Sequence, residues 1–398
     1  MTLRVVIIGA GIGGLTAALA CRAAGLEPVV YEQAERLEPL GAGVQLSPNA
    51  TRVLTALGLD AALEPHVFTP RAVHFRGAVS GYPVAQHPLG AASLERYGAP
   101  YWHVHRGDLQ TVLLQAAQAR GIPVHLDCRC VALSQNEDRV AARLAHGAEV
   151  DADVLVGADG IRSTVRECLL GDDRPRYAGL LAWRGLVPTA TLPPDLIAPA
   201  ATVWLGPRRH FVHYYVRAGE LVNFVGVVET QDVREESWVT EGTRAELAAD
   251  FAGWHRDVRT LIVAADRCFK WGLYERPPLP RWSFGRVTLL GDACHGMLPF
   301  LAQGAAMAIE DAWVLARLLQ DDEEVPVEAL LEYERFRRPR TQRVQLASAA
   351  QGKIFHLDSR AAVAARNLKL GLGSRLLPEL AMQQFDWLHG YDAVRGFP

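Results

Sequence analysis

The chain has 398 residues, of which 49% are hydrophobic and 21% are charged, and its formal net charge at pH 7 is −3. The length exceeds the ~250–300 residues at which a single core usually stops growing, so we expect two domains. The small net charge excludes broad electrostatic attraction to nucleic acid or to an anionic membrane. No run approaches the ~18 apolar residues of a membrane span. Six scattered cysteines are not a disulfide scaffold and predict a cytoplasmic protein with reduced thiols.

The N-terminal segment has the pattern of a strand, a tight turn and a helix. The apolar run 5–8 is followed by Gly9, Gly11 and Gly14, which fit G-x-G-x-x-G. In that motif the glycines permit the turn, the approach of a pyrophosphate and close packing of the helix. A second strand ends at Glu32, about 20 residues on, where an acidic side chain binds ribose hydroxyls. Glu32 disfavours a 2′-phosphate, so the pattern predicts FAD or NAD.

The next segments carry residues suited to ligand binding at the ends of strands. The glycine-rich loop 40–49 allows a ligand to approach closely. A strand then leads into a helix predicted from Leu109 to Ala119, with Asp108 as its cap. Arg106, at the end of that strand, could reach a diphosphate. Asp159 ends a buried strand at the carboxyl edge of the sheet, where open α/β folds bind ligands.

The hydrophobic periodicity changes to two between Tyr177 and Tyr274, which predicts mixed or antiparallel sheet and therefore a second domain. Residues 72–99 look like an earlier excursion into that domain. A period of two places His210 and Tyr214 on one face of a strand and His213 on the other. We expect one of these faces to contact a ligand and the other to pack on helices.

A buried strand in the last third of the chain ends in Gly291-Asp292. We predict a helix from Met307 to Leu319 whose first turn carries Glu310 and Asp311. His295, beside the strand end, fits a structural role as well as a catalytic one.

Beyond this helix, the acidic run 321–324 predicts a solvated loop. A helix from Val327 to about Leu346 and a mostly helical tail follow. Two pairs of potential metal ligands, Cys128-x-Cys130 and His103-x-His105, lack zinc spacing and a third ligand respectively, so we predict no metal site.

Three separated motifs, in this order and with a β-domain between them, resemble those of the FAD-dependent aromatic-ring hydroxylases, the single-component monooxygenases related to p-hydroxybenzoate hydroxylase. They are the glycine turn with Glu32, then Asp159-Gly160, then Gly291-Asp292 before a helix that follows Pro299 and Gln303-Gly304. The resemblance covers nearly the whole chain. It is closest to salicylate hydroxylase, 3-hydroxybenzoate 6-hydroxylase and 6-hydroxynicotinate 3-monooxygenase, through segments 41–49, 101–109, 183–185, 210–214, 301–311, 355–358 and 385–391. Many wider relatives carry asparagine where this chain and the salicylate-type branch carry Ala306.

This resemblance implies an α/β fold with a Rossmann-like FAD-binding domain, an inserted mixed or antiparallel β-sheet substrate domain and a helical C-terminal segment. The FAD-binding domain would comprise residues 1–71, 100–175 and 281–345, the substrate domain 72–99 and 176–280, and the tail 346–398. A homodimer that involves the tail is also what the resemblance suggests.

The resemblance also implies which residues bind FAD. The glycine turn and Glu32 would hold the ADP part, with Arg106 and Cys130 along it, and Asp292 would meet the ribityl chain. Gly304 and Ala305 would offer N–H groups to the flavin pyrimidine at a helix start, where the dipole favours the negative charge of reduced flavin. The full predicted set is Gly9, Gly11, Gly13, Gly14, Glu32, Gln33, Gly43, Val44, Arg106, Cys130, Asp159, Asp292, Gly304, Ala305 and Ala306.

The implied chemistry is reduction of FAD by NADH or NADPH, reaction with O₂ to a C4a-hydroperoxide, and oxygen transfer to a small hydroxylated aromatic acid. His210 and Tyr214 are the predicted catalytic residues, and Gln45 and Pro299 are predicted to border the pocket. A histidine needs little tuning to accept a proton near neutral pH, whereas Tyr214 would need a lowered pKa or act only as a hydrogen-bond partner. A register shift by one would turn His213 to the ring instead.

Two other classes stay open at this point. One is a flavin reductase or dehydrogenase on the same fold, and the other is a non-catalytic FAD-binding redox module. The sequence also leaves open which aromatic acid and ring position are used, whether a carboxylate or a hydrogen is replaced, and whether NADH or NADPH is the reductant.

Overall fold

The computed structural model describes residues 2–37, 41–230, 240–321, 326–376 and 378–396. The strands are β1 Arg4–Ile8, β2 Glu27–Tyr31, β3 Gly43–Leu46, β4 Val67–Phe68, β5 Ala72–Gly77, β6 Pro83–Pro88, β7 Trp102–His105, β8 Val124–His125, β9 Cys130–Gln135, β10 Val140–Leu144, β11 Glu149–Ala152, β12 Val154–Gly157, β13 Arg176–Pro188, β14 Ala201–Gly206, β15 Arg209–Val216, β16 Leu221–Glu229, β17 Glu241–Gly242, β18 Cys268–Glu275, β19 Ser283–Phe284 and β20 Val287–Leu289. The helices are α1 Ile12–Ala23, α2 Pro48–Ala56, α3 Asp60–Leu63, α4 Ala91–Tyr97, α5 Arg106–Ala119, α6 Thr164–Leu170, α7 Arg244–Asp250, α8 Arg256–Ala264, α9 Asp292–His295, α10 Gly304–Asp321, α11 Pro326–Phe355, α12 Arg360–Leu376, α13 Pro378–Gln383 and α14 Asp386–His389.

The first sheet has the strand order β19-β20-β12-β1-β2-β8. Its central strands β12, β1 and β2 are parallel, and β1 is buried over Val5–Ile8. A parallel strand covered on both faces needs such a continuous run of apolar, β-branched residues. Helix α1 packs against α5 and α10 beside this sheet. The carboxyl ends of the parallel strands therefore meet at one edge.

The second sheet has eight strands in the order β17-β18-β13-β16-β15-β14-β5-β6. It is antiparallel except where β14 pairs in parallel with β5. One face packs on α7 and α8 through a buried aromatic cluster that includes Trp183, Phe211, Phe224 and Phe251. The opposite face carries a separate cluster that includes Leu298 and Phe300. The predicted α/β fold with an inserted β-sheet is confirmed, and the numerical domain boundaries stay a prediction.

Two helix starts differ from the predictions. Helix α5 begins at Arg106, not Leu109, so Asp108 lies inside its first turn and His105 is the N-cap residue. Asp108 is not a cap; it accepts two 2.8 Å hydrogen bonds from Arg217, which joins α5 to the turn after β15. Helix α10 begins at Gly304, not Met307. Glycine is destabilising mainly in the middle of a helix, so it is acceptable at this end.

Further along, Glu310 and Asp311 are therefore not in the first turn of α10; both lie deeper in the helix and are fully buried. Asp321, the first residue of the predicted acidic loop, is the last residue of α10. The other residues of that loop, 322–324, lie outside the described residues. Residue 40 of the glycine-rich loop also lies outside them. Helix α11 runs past residue 346 to Phe355 and contains Pro339.

The C-terminal helices pack back on the body of the chain. Helices α12 and α13 contact β6. The Arg52 Nη1 donates to the carbonyl oxygens of His389 and Tyr391 at 3.0 and 2.8 Å, and Arg96 binds the Asp386 carboxylate. Within the described ranges, the helices are all too short or too polar to cross a bilayer.

Candidate active site

The turn between β1 and α1 has room for a ligand only at its second glycine. Gly9 has φ +109°, and a Cβ there would lie 2.5 Å from the carbonyl oxygen of Ala158. A Cβ on Gly14 would lie 1.9 Å from the Gly9 oxygen, whereas one on Gly11 would meet nothing within 4 Å. Packing thus requires glycine at positions 9 and 14, and Gly11 leaves open space in front of the helix N-terminus.

Glu32 reaches from the end of β2 to this turn. Its carboxylate accepts hydrogen bonds from the Ala10 N–H at 2.7 Å and the Ala34 N–H at 3.0 Å. On the neighbouring strand end, Asp159 accepts from the Val165 N–H at 3.1 Å through Oδ2. Its buried Oδ1 has no hydrogen-bond partner among the described residues. The two carboxylates leave acceptor capacity for hydroxyl or amide donors of a ligand.

Two adjoining cavities lie along the carboxyl edge of the first sheet. The small cavity has a volume of about 250 Å³ and the large cavity about 490 Å³, and both are lined by Gly11 and Arg106. Of the other predicted site residues, the small cavity is lined by Gly9, Glu32, Gln33, Cys130 and Asp159, and the large cavity by Gly13, Gly43, Val44, Gln45, His210, Tyr214, Asp292, Pro299, Gly304 and Ala305.

Two predicted cofactor residues, Gly14 and Ala306, line neither cavity. Gly14 packs against the backbone of Gly9, and Ala306 is fully buried in the core of the first sheet. Both residues therefore pack in the interior, and their contribution to FAD binding stays a prediction.

Arg106 occupies the junction of the two cavities at the start of α5. Burial lowers the pKa of its guanidinium, and the charges of Asp292 and Glu32 oppose that shift. Cys130 lines the small cavity, and burial raises the pKa of its thiol to about 12, so the thiol stays protonated near neutral pH. A ligand that extends from one cavity into the other would therefore meet one positive group, the Arg106 guanidinium, and one neutral group, the Cys130 thiol.

The start of α10 faces the large cavity. Gly304 and Ala305 line it, and the first N–H groups of a helix have no partner within the helix. The dipole of this 18-residue helix favours negative charge at that point. Asp292, the first residue of α9, lines the same cavity.

Strand β15 places His210, Val212 and Tyr214 in the lining of the large cavity. The alternate residues face the other way: Phe211 lies in the aromatic cluster, and His213 lies 6.2 Å from the Trp204 ring. His213 is thus in the hydrophobic interior. The predicted face, and not the face shifted by one residue, is the one in the cavity.

The polar side chains around Tyr214 in the large cavity are neutral. Tyr101 donates from its hydroxyl to Gln45 Oε1 at 2.8 Å, and Gln45 also hydrogen bonds with Tyr214. Burial raises the pKa of both tyrosines, so Tyr214 is a hydrogen-bond partner and not a phenolate.

The expectation that His210 needs little tuning is wrong. Burial lowers the pKa of His210 well below its usual value, because the ring is surrounded by Phe300, Phe355 and His356. The imidazole is therefore neutral near pH 7. A neutral imidazole accepts a hydrogen bond through one nitrogen and donates through the other.

A buried charge network between α10 and α11 was not predicted from the sequence. Arg337 contacts Glu310 and Asp311, each at 2.7 Å, and all three side chains are fully buried. Arg340 forms two hydrogen bonds to Glu310 at 2.7 and 2.8 Å, and His295 Nε2 lies 2.5 Å from Asp311. Arginines three residues apart on α11, opposite an adjacent acidic pair on α10, were the signal available in the sequence.

This network is connected to both loops that face the large cavity. Asp311 accepts from the Gly291 N–H at 3.3 Å, next to Asp292. Asn49 Nδ2 donates to Glu310 at 2.6 Å and to Gln303 Oε1 at 3.1 Å, next to Gly304. The charge pairs consequently position the backbone that lines the cavity.

The C-terminal segment contributes lining residues that the sequence analysis did not predict. Met382, Phe385, Leu388 and His389 also line the large cavity. Arg340 Nη1 and Nη2 donate to the carbonyl oxygens of residues 387 and 388 at 2.8 and 2.9 Å. The charge network therefore also holds this wall.

Comparison with known proteins places this geometry in a family context. The sequence profile described as "FAD binding domain" matches residues 2–348. The 3-amino-4-hydroxybenzoate 2-monooxygenase PtnB3 of Streptomyces platensis is 41% identical over 391 residues, which are 98% of this chain and 96% of the relative. The 6-hydroxynicotinate 3-monooxygenase of Bordetella bronchiseptica is 40% identical over 352 residues, 87% of this chain and 90% of the relative. The crystal structure of Klebsiella pneumoniae HpxO with FAD and uric acid superposes with a TM-score of 0.85 at 29% identity, covering 96% of each chain.

We predict that Glu32→Ala weakens FAD binding by about 10-fold or more, because charged hydrogen bonds are worth about 1.5–3 kcal/mol. The dissociation constant is measured by titrating FAD into apoprotein and following flavin fluorescence. Glu27→Ala, an exposed carboxylate on the same strand, is the matched control and should bind FAD normally. Equal affinity of the two variants would contradict the assignment of Glu32.

Arg337→Met is expected to destabilise the protein by about 3–5 kcal/mol, since it leaves two buried carboxylates without their shared partner. Arg335→Met, on the exposed side of the same helix, should change stability little. Urea unfolding of both variants as apoproteins measures the difference. A loss for Arg337→Met no greater than for Arg335→Met would show that the network does not stabilise the fold.

The network also predicts a pH dependence. Burial raises the pKa values of Glu310 and Asp311, but their partners Arg340, Arg337 and His295 more than offset this and hold both pKa values below the usual range. Their stabilisation is present above the unfolded pKa values, about 4.3 and 3.9, and is lost as pH falls through the lower folded values. Without Arg337 the folded pKa values rise, so the acid-unfolding midpoint of Arg337→Met should move to higher pH than that of the wild type.

Proposed function

Because this chain belongs to the FAD-binding-domain family of flavoprotein aromatic-ring monooxygenases, we propose that its large cavity binds a small hydroxylated aromatic acid and orients the ring for hydroxylation. The enzyme uses FAD with NADH or NADPH as reductant and O₂ as oxidant. The observation that carries the proposal is the shared lining: His210 and Tyr214 face the same cavity as Asp292, Gly304 and Ala305.

The residues at the two cavities fit FAD. The unpartnered Asp159 Oδ1 and the Glu32 carboxylate offer acceptors in the small cavity, and the open space at Gly11 lies before a helix N-terminus suited to a diphosphate. The start of α10 offers N–H donors in the large cavity. FAD, when bound, supplies the redox and oxygen chemistry, and the protein supplies binding and orientation.

The substrate end of the large cavity binds by hydrogen bonds rather than by a cation. Among the described residues, Arg106 is the only lysine or arginine in the lining, and it lies at the junction with the small cavity. Gln45, Tyr101 and Tyr214 provide neutral groups that can bind hydroxyl and carboxylate oxygens. Apolar side chains such as Val203 and Phe300 line the same cavity and would contact the ring.

Neutral His210 accepts the hydrogen bond of the ring hydroxyl. Withdrawal of that proton in the transition state increases the electron density of the ring and so promotes attack on an electrophilic oxygen. Tyr214, which burial keeps protonated, hydrogen bonds to the substrate and fixes the angle of the ring. Placement of the ring to within an ångström decides which carbon is hydroxylated.

A homodimer remains part of the proposal. Leu368 and Leu372 are exposed and lie one turn apart on α12. An apolar contact between two copies of the chain would bury them, which supports a dimer. Sedimentation analysis of the FAD-loaded protein tests this, and a monomer at micromolar concentration would contradict it.

His210→Ala and Tyr214→Phe are predicted to lower the hydroxylation rate by about 10–100-fold with bound FAD unchanged, because each removes a group that acts on the substrate hydroxyl. Tyr215→Phe is the matched control, since its hydroxyl donates to the Ile197 oxygen at 3.0 Å on the opposite face. The measurement is product formed per flavin. Wild-type activity per flavin in both cavity variants would contradict the assignment of this face to substrate.

A further inference from the structure

We propose that His210, His356 and Glu229 form a proton relay that carries the substrate hydroxyl proton from the large cavity to solvent. His210 Nδ1 lies 2.8 Å from His356 Nε2, and His356 Nδ1 lies 3.1 Å from Glu229 Oε1. Both separations are within hydrogen-bond range. This inference rests on the proposed function, since it needs a substrate with a ring hydroxyl.

The three side chains span the distance from the cavity to the surface. His210 lines the large cavity and is 3% exposed, and His356 is 6% exposed. The Glu229 side chain is 33% exposed, and its other oxygen contacts Arg208 Nε at 3.0 Å. A proton that reaches Glu229 has therefore reached water.

Backbone hydrogen bonds fix the relay geometry. The Arg208 N–H donates to the His356 carbonyl oxygen, and the Glu229 N–H donates to the Arg208 carbonyl oxygen, each at 3.1 Å. The His356 N–H donates to the Gly352 oxygen at 3.1 Å at the end of α11. The ends of β15, β16 and α11 are thereby joined, which holds the two imidazoles in contact.

One set of tautomers satisfies both hydrogen bonds. An ionised Glu229 only accepts, so neutral His356 carries its proton on Nδ1 and accepts on Nε2. His210 must then donate from Nδ1, which leaves its Nε2 as the acceptor. This tautomer of His210 is the one needed to receive a proton from a ring hydroxyl.

The transfer balances without any oxidant or reductant. The hydroxyl O–H bond of the substrate breaks and an N–H bond forms at His210 Nε2. The His210 Nδ1 proton moves to His356 Nε2, the His356 Nδ1 proton moves to the Glu229 carboxylate, and Glu229 releases a proton to water. The substrate is left as a phenolate, and both imidazoles are neutral in the opposite tautomer.

The apolar surroundings of His210 explain why its imidazole would have to pass a proton on to another group. The rings of Phe300 and Phe355 lie 5.4 and 5.2 Å from it, and burial lowers its pKa well below the usual value. An imidazolium is therefore unfavourable there. Burial also lowers the pKa of His356, with Glu229 opposing and Arg209 adding to that shift. Among the described residues, the Glu229 carboxylate is the anionic group in contact with these two histidines.

The test uses the full-length, FAD-loaded enzyme and an aromatic acid that the wild type hydroxylates. The protein is mixed anaerobically with this acid at pH 7, where a ring hydroxyl is protonated in solution, and a pH-indicator dye records proton release by stopped flow. His356→Gln should slow proton release by about 10-fold or more, and it should slow product formation by a similar factor in a separate aerobic turnover assay with NADH or NADPH. Its FAD content and substrate dissociation constant should be unchanged, which a merely structural role would not produce.

Glu229→Gln is the second variant, because it keeps an acceptor for His356 at a partly exposed position and removes the ability to take up a proton. It should slow proton release as well. Glu241→Gln removes a comparable exposed ion pair with Arg267, 3.0 Å long, away from the histidines, and should behave as wild type. Wild-type rates in both relay variants would overturn the relay, whereas a wild type that hydroxylates no aromatic acid would overturn the proposed function instead.

Discussion

Burial of two adjacent carboxylates in α10 is the constraint on which the rest of the site depends. Glu310 and Asp311 are tolerated in the interior because Arg337 and Arg340 compensate their charges, with contacts of 2.7 Å. The same groups bind the backbone at Gly291 and, through Asn49, the side chain of Gln303. Removing one partner of a buried ion pair lowers the free energy of unfolding strongly. In this protein the hydrogen bonds of the pairs also position the two loops that face the large cavity.

The network also connects the loops at Gly291 and Gln303 to the C-terminal segment that lines the large cavity. Arg340 donates to the backbone before His389, and the Arg340 guanidinium lies 3.9 Å from the centre of the Tyr391 ring. The C-terminal segment is thereby part of the wall of the large cavity. The cavity it closes is apolar and contains neutral polar groups at one end, which is an environment in which each hydrogen bond to substrate is strengthened.

Much of this arrangement follows from local sequence rules. The glycine turn with Glu32 and the alternation of His210 and Tyr214 depend on neighbouring residues, and both predict the observed placement. The start of α10 was misplaced because a glycine beside Gln303 looks like a loop. The Arg337 pairs, the His210 to His356 contact and the wall at His389 each join positions far apart in the chain. Only tertiary packing brings those together. The arginine spacing on α11 and the acidic pair on α10 are visible in the sequence, but no local pattern pairs them.

The most direct test of the account is NADH and NADPH oxidation by the flavin-loaded protein against a panel of hydroxylated aromatic acids, with chromatographic analysis of the products. The account predicts that at least one acid stimulates oxidation and leaves with one additional ring hydroxyl, in amounts that match the reductant consumed. Oxidation that no acid stimulates, or that yields only peroxide, would contradict the assignment of the large cavity to an aromatic acid substrate.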